Sequence, residues 1–314
     1  MAEPQGEPPL VSIVIPCYKQ AHLVGEAIQS ALAQTHPRVE VVVVDDGSPD
    51  DVASVVSNYA AVRLLRQENR GLSGARNAGA RFSRGEYLVF LDADDLLLPH
   101  AVETGLRTFG ENPECAFVHG ATERRRLDGT AVPDPNAVVT GSPDLYLELL
   151  RTRSWQNIAA SLFRRAAFEA VGGFDDAAEC AEDLDFLLRL ALRFPSYGHG
   201  RTVAVYRRTG QNINSPQNVS AMLRGALRML RAHRRYTRGN AEYEEARRAA
   251  IRRAKEIWRG PLVRRVREHA RSGRWGEALR DGALLVRHYP DVLATYAVRR
   301  LLAAVGIGRP IRDA

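Results

Sequence analysis

The chain reads as an α/β protein: a mostly parallel sheet flanked by helices, followed by an α-helical C-terminal extension. Three observations predict this. Short runs rich in β-branched residues alternate with segments of helical apolar spacing between residues 11 and 92. Two of those runs end in acid, at Asp45–Asp46 and at Asp92, Asp94 and Asp95. From Ala221 to the end, 23 Arg+Lys stand against 9 Asp+Glu, and from about Ser215 on nearly every segment reads as helical.

"VSIVIPCY" (11–18) is the first buried strand, stopped by Pro16 and a polar stretch. "HLVGEAIQSALAQ" (22–34) places Leu23, Ala27, Ile28, Ala31 and Leu32 at helical spacing. "VEVVVVDDGS" (39–48) is a second strand and "PDDVASVVSNYA" (49–60) a helix with acid in its first turn. "VRLLRQ" (62–67) is a third strand, "LSGARNAGARF" (72–82) a helix with Ser73 as its cap, and "EYLVFLD" (86–92) a fourth strand.

Beyond residue 110 the pattern loosens. Residues 111–133 suggest a strand and a turn at Asp128-Gly129, "NIAASLFRR" (157–165) a strand, and "AEDLDFLLRLALRF" (181–194) an amphipathic helix opening in acid. "TVAVYRR" (202–208) is another strand, and residues 272–302 resemble a helix-turn-helix pair.

Strands alternating with helices form βαβ units whose right-handed crossovers gather the strand C-termini on one edge. Ligands of open α/β sheets bind at that edge. Tyr18, Asp45, Asp46, Asp92, Asp94 and Asp95 all fall there. Two carboxylates about 4 Å apart repel by about 4 kcal/mol at an effective dielectric of about 20. A fold tolerates such crowding if a cation arrives or a group stays protonated.

The totals narrow the class. Hydrophobic content of 45% and charged content of 26% are ordinary for a globular chain. Cys17, Cys115 and Cys180 are scattered, which predicts reduced thiols rather than a disulfide framework or zinc site. The start, "MAEPQGEPPL", lacks the layout of a signal peptide, and no apolar run is long enough to span a bilayer. A cytoplasmic protein is expected. The formal charge of +7 divides into −7 before Ala221 (21 basic, 28 acidic residues) and +14 after it. The basic tail is either a solvated helical face packed on its neighbours or a surface for anionic lipid, which would place the protein peripherally at the inner face of the cell membrane. No recognition motif accompanies the charge, so nucleic acid is not an expected partner.

Several chemistries lack their signatures. No GxGxxG follows the first strand, and neither GxxxxGK[ST] nor GxSxG is present. What remains is an oxygen-rich cation site. Three Asp without His or Cys suit Mg²⁺ or Mn²⁺, with a diphosphate supplying further ligands. Arg76, one turn into a helix, is placed to face a phosphate, or else forms a surface ion pair.

The motifs in order are strand-PCYK, strand-DDGS, "GLSGARNAG", "GEYLVFLDADD", then "GGFD" and "ED" within "VGGFDDAAECAEDLDFLLRL". Together they resemble the family 2 glycosyltransferases of the GT-A fold, a Rossmann-like architecture, from about Val11 to Arg208. The resemblance implies an inverting, metal-dependent transfer from a nucleotide-sugar donor to a glycan or lipid-linked acceptor, in cell-surface polysaccharide or glycoconjugate assembly. It implies that Asp46 reads the nucleobase or ribose, with Pro16 and Tyr18 shaping the pocket and Asp45 assisting or capping the turn. Asp94 becomes the main metal ligand, and Asp92 contacts ribose or the metal. Asp183 becomes the base, with Glu182 second; Asp185 shares their helix. Local readings stand beside these: Asp45 and Asp46 as a strand-ending turn with Gly47, Asp95 as a helix cap, the ED pair as acids favoured at a helix N-terminus.

One position departs from the family. Thr209 stands where a histidine often follows the strand, which leaves Arg207 and Arg208 as diphosphate contacts, while His199 lies upstream. The expected organisation is a flexible start (1–9), a transferase domain (10–214) and a basic helical region (215–314). The transferase domain divides into a nucleotide half (about 10–110) and an acceptor half (about 111–214). The alternatives are a scaffold that binds nucleotide-sugar or glycan without turnover, and a nucleotidyltransferase, whose usual glycine-rich, lysine-containing first loop is missing.

Overall fold

The computed structural model describes residues 7–132, 144–151, 157–178, 180–209 and 219–291. The chain divides into two compact units, Met1–Asn212 and Ile213–Ala314. The boundary expected near residue 214 and the second helix of the pair expected over 272–302 lie outside the described residues.

The first unit opens with β1 (Val11–Cys17), α1 (Ala21–Leu32), β2 (Val39–Asp46), α2 (Val52–Ser57), β3 (Val62–Gln67), α3 (Gly71–Phe82) and β4 (Tyr87–Phe90). It continues through β5 (Leu96–Leu97), α4 (Ala101–Glu111), β6 (Phe117–Arg126), β7 (Ala131–Val132), α5 (Leu145–Arg151), β8 (Ser161–Arg164), α6 (Arg165–Ala170), α7 (Glu182–Ala191) and β9 (Ser196–Arg208). The sheet runs β3-β2-β1-β4-β8-β6-β9-β5, with β7 beside β6. β3, β2, β1 and β4 are parallel. Beyond β4 the sheet is mixed: β8 is antiparallel to β4 and β6, and β6 is parallel to β9.

The chain steps outward from β1 to β2 and β3, then returns to the other side of β1 as β4. The loops leaving β1 and β4 therefore diverge, and a crevice opens between them at the strand C-termini. Alternate residues of the central strands, Ile13, Ile15, Val41, Val43 and Val89, join α1 in one core. On the other face α3 packs so closely that a Cβ on Gly79 would lie 2.3 Å from Val14 Cγ1 and 2.9 Å from Val44 Cγ2. Phe90, Phe163, Phe168, Phe174 and Phe186 form an aromatic cluster, with Phe174 and Phe186 at 4.4 Å between ring centroids.

Ser73 does not cap α3. The helix starts two residues earlier, at Gly71, whose φ of +74° turns the chain into it. Asp95 does not cap the helix that follows; α4 begins at Ala101 with His100 at its N-cap. The Asp128-Gly129 turn does join two strands, β6 and β7, with Gly129 at φ +83°. Cys17, Cys115 and Cys180 are buried and form no disulfide with one another.

The second unit contains α8 (Val219–Ala232), α9 (Arg234–Thr237), α10 (Ala241–Arg271) and α11 (Trp275–His288). Val219, Leu223, Leu227, Leu262, Leu285 and Tyr289 form its core. No helix among the described residues is long and apolar enough to cross a membrane.

Candidate active site

Register brings the first two loops together. Cys17 pairs with Asp45, so Tyr18 and Asp46 follow side by side at the sheet edge. Lys19 sits at φ +57°, and its N–H donates to Ser48 Oγ at 2.6 Å. Ala21 N–H donates to Asp50 at 2.8 Å, lacing the β1 loop to the β2 loop. Asp45 is buried; it accepts from Ser48 N–H at 2.9 Å and pairs with Arg66 at 3.0 Å. Asp46, also buried, accepts from Gln67 at 2.7 Å and from Arg70 N–H at 2.8 Å. Tyr18 is 42% exposed at the crevice wall.

The chain after β4 turns sharply: Asp95 N–H donates to Asp92 carbonyl at 3.0 Å. One carboxylate oxygen each from Asp92, Asp94 and Asp95 lies within 4.8 Å of the others. Burial, then the charge of Asp92, pushes Asp94 up to about 6. Burial, then Asp94 and Asp92, raises Asp95 well above the carboxylate range. Asp95 accepts from Arg207 N–H at 2.9 Å and from Asn157 at 3.1 Å. The Arg207 guanidinium is engaged by Asp94 carbonyl and, at 2.5 Å, by Glu26. Three crowded, under-compensated oxygen donors fit a hard divalent cation such as Mg²⁺ or Mn²⁺.

The ED pair opens α7. Ala181, just before it, is in the left-handed region at φ +66°, a conformation costing an ordinary residue about 1–3 kcal/mol. Glu182 and Asp183 both meet Arg76. That residue does not stand open to a phosphate: its side chain is fully buried and bracketed by three carboxylates. Arg76 Nη2 donates to Asp92 at 2.7 Å; Nη1 donates to Asp183 at 3.0 Å and to Glu182 at 3.2 Å. Burial works against its charge, but the three carboxylates overcome this and raise its pKa further.

The two acids diverge in consequence. Burial and the neighbouring Asp183 charge push Glu182 up to about 8, so it holds a proton at neutral pH. Burial opposes ionisation of Asp183 too, but Arg76 and the hydrogen bond from Glu182 keep it below the usual carboxylate range. The Asp183 side chain is 32% exposed and the Glu182 side chain 9%. Asp185 turns away, to Arg189 at 2.7 Å.

Asn77, beside Arg76, was not singled out by the sequence. Its amide donates to Phe174 carbonyl at 2.9 Å and Asp176 at 2.7 Å, and accepts from Phe174 N–H at 2.9 Å. It thus fixes the glycine turn before α7. The signal available was its place next to an arginine in the same glycine-bearing motif. Asn157 and Glu26 had no sequence signal. His199 lies beside Val89, Leu97 and Val203 at a small cavity; burial and Arg201 lower its pKa to about 4, so it is neutral. Thr209 directly follows β9.

Residues 12–172 match the family model described as Glycosyl transferase family 2. The chain belongs to this family. It is 34% identical over 189 residues to a chondroitin synthase of Pasteurella multocida, covering 58% of this chain and 19% of that one. It is also 34% identical to the uncharacterized glycosyltransferase EpsJ of Bacillus subtilis, covering 57% of this chain and 55% of EpsJ. The chain thus spans about a fifth of the chondroitin synthase and about half of EpsJ. Among solved structures, the mannosyltransferase PcManGT of Pyrobaculum calidifontis, in complex with GDP-Man and Mn²⁺, superposes with a TM-score of 0.60 at 21% identity. That match covers 96% of this chain and 87% of PcManGT. S. aureus TarS 1–349 in complex with UDP-GlcNAc gives 0.55 at 18% identity, covering 90% and 92%. These likenesses show that the glycosyltransferase has the GT-A fold.

Proposed function

We propose that the enzyme transfers a sugar, with inversion, from a nucleoside-diphosphate sugar to an acceptor hydroxyl, and that it needs a divalent cation. The observation that carries this reading is the Arg76 bridge, which puts an ionised, partly exposed Asp183 one side chain away from the Asp92–Asp94–Asp95 cluster. Asp94 and Asp92 would hold Mg²⁺ or Mn²⁺, and the cation, when bound, neutralises charge on the departing diphosphate.

The chain's own residues do the rest. Asp46, Pro16 and Tyr18 line the nucleoside end, with Asp45 holding the loop. Asp183 accepts the proton of the acceptor hydroxyl as that oxygen attacks the anomeric carbon. The bond from the anomeric carbon to the diphosphate oxygen breaks on the opposite side, and the nucleoside diphosphate leaves with the electron pair. A single displacement inverts the centre and requires no carboxylate nucleophile. Glu182 holds its proton, donates to Asp183 and orients it. Arg207 anchors Asp94 and Asp95 through contacts to the turn that carries them.

The acceptor is a glycan or lipid-linked hydroxyl in cell-surface polysaccharide or glycoconjugate assembly, which suits a cytoplasmic enzyme working at the inner membrane face. The test is Asp183→Asn. It should keep donor binding and lose about 10²–10⁴-fold in transfer. Wild-type transfer at an undiminished rate in that variant contradicts the assignment. The anomeric proton coupling of the product reports inversion or retention.

A further inference from the structure

The two most exposed large apolar side chains among the described residues are Leu279 at 73% and Trp275 at 64%; Val286, at 45%, is exposed as well. All three belong to α11. At about 100° per residue, positions i, i+4 and i+11 fall within about 40° of one another on the helix. Ala283, also exposed, extends the same stripe.

The orientation of this stripe is fixed from behind. Asp281, on the buried face of α11, accepts from Ser220 of α8 at 2.5 Å and from Arg265 of α10 at 2.7 Å. Ala278, Leu285 and Tyr289 are buried on that side as well. The helix cannot roll its apolar stripe inward without stripping a buried carboxylate of its partners, which is strongly unfavourable.

Charge tells what the stripe meets. Both acids of α11 are already engaged: Asp281 as above, and Glu277 with His269 at 3.2 Å. The exposed Arg280 and Arg287 lie next to the stripe and pair with no carboxylate among the described residues. The described residues of this unit, 219–291, carry 19 Arg+Lys and 8 Asp+Glu, a balance of +11. A protein partner with a neutral apolar groove would leave this charge uncompensated. An interface of acyl chains under anionic headgroups meets both features, with Trp at the headgroup level and Arg reaching the phosphates.

We infer that α11 is a membrane-surface helix: Trp275, Leu279 and Val286 insert at the headgroup boundary of an anionic bilayer, and Arg280 and Arg287 bind its phosphates. This deepens the proposed placement at the membrane face and is independent of the sugar-transfer chemistry.

The experiment uses the full chain and sedimentation with phosphatidylcholine vesicles, with and without phosphatidylglycerol. The expected result is binding to the phosphatidylglycerol vesicles at low salt that weakens as salt rises. Trp275→Ser with Leu279→Ser, and separately Arg280→Glu with Arg287→Glu, should each weaken binding by about tenfold or more. Circular dichroism confirms that the variants fold, and donor hydrolysis, measured alongside, should be unchanged. Absence of wild-type binding at low salt, equal binding to neutral vesicles, or full binding by both variants overturns the inference. So does a dimer that Leu279→Ser dissociates, which would assign the stripe to a second copy. Loss of sugar transfer with vesicle binding intact would count against the catalytic reading alone.

Discussion

A buried carboxylate beside two others lowers stability unless a cation compensates it. Asp94, pushed up to about 6, binds a proton in the folded state over a range where the unfolded chain has released it. Metal-free stability should therefore fall as pH rises from about 4 to about 6 and stay lower above that. Asp94→Asn removes this term, so the metal-free variant should be more stable than wild type at pH 7.5, by on the order of 2 kcal/mol. Thermal melts in chelator test this; a lower Tm contradicts it. Cation binding must displace the same proton, so Mn²⁺ affinity should weaken below about pH 6. Calorimetric titration of Mn²⁺ at pH 5.5 and 7.5 measures the difference. The acids were legible in the sequence because carboxylates ending a buried strand stand out against their neighbours. The position of Arg76 was not: its partners Glu182 and Asp183 lie more than a hundred residues away, and only the tertiary fold reveals that it faces carboxylates rather than phosphate. For the same reason sequence spacing left Glu182, Asp183 and Asp185 equivalent, while burial and ion pairing separate them. Arg76→Lys keeps the charge but cannot bridge three carboxylates. It should raise the acidic limb of the pH–rate profile for transfer as Asp183 loses the guanidinium hydrogen bond that helps hold it ionised.

At the scale of elements, α3 joins the two halves of the site. Gly79 lets it lie directly on Val14 and Val44, Arg76 reaches the acids, and Asn77 holds the turn at Phe174. Gly79→Ala should force the helix off the sheet and cost about 1–3 kcal/mol, seen as a fall in Tm. Asn77→Ala should cost a similar amount, about 1–3 kcal/mol. It should also reduce transfer more than donor binding, because the turn it fixes leads to Asp183; an equal loss in both would contradict that role. β1 and β2 were legible because their β-branched runs are long and mostly buried; β3 and β4 were legible as short apolar runs set between helical segments. β5 is two residues long and exists through its pairing with β9, so no local pattern marked it. α5 and α6, seven and six residues long, are likewise too short to show a helical period of their own. The Ser73 cap failed because a glycine two residues earlier offered the positive φ that begins the helix.

At the scale of the whole molecule, the parallel half of the sheet followed from alternation of strand and helix, and with it the edge where the acids gather. The mixed half did not, since the antiparallel placement of β8 between β4 and β6 depends on contacts across the chain rather than on spacing. The order β2-β1-β4 opens the crevice, and everything proposed for the site depends on a cation and a diphosphate meeting there. The most direct test is calorimetric binding across a panel of nucleoside-diphosphate sugars, with and without Mn²⁺, for wild type and Asp94→Ala. At least one donor should bind the wild type only with Mn²⁺, and Asp94→Ala should abolish this binding. Donor binding of equal strength without metal, or undiminished in Asp94→Ala, would contradict it.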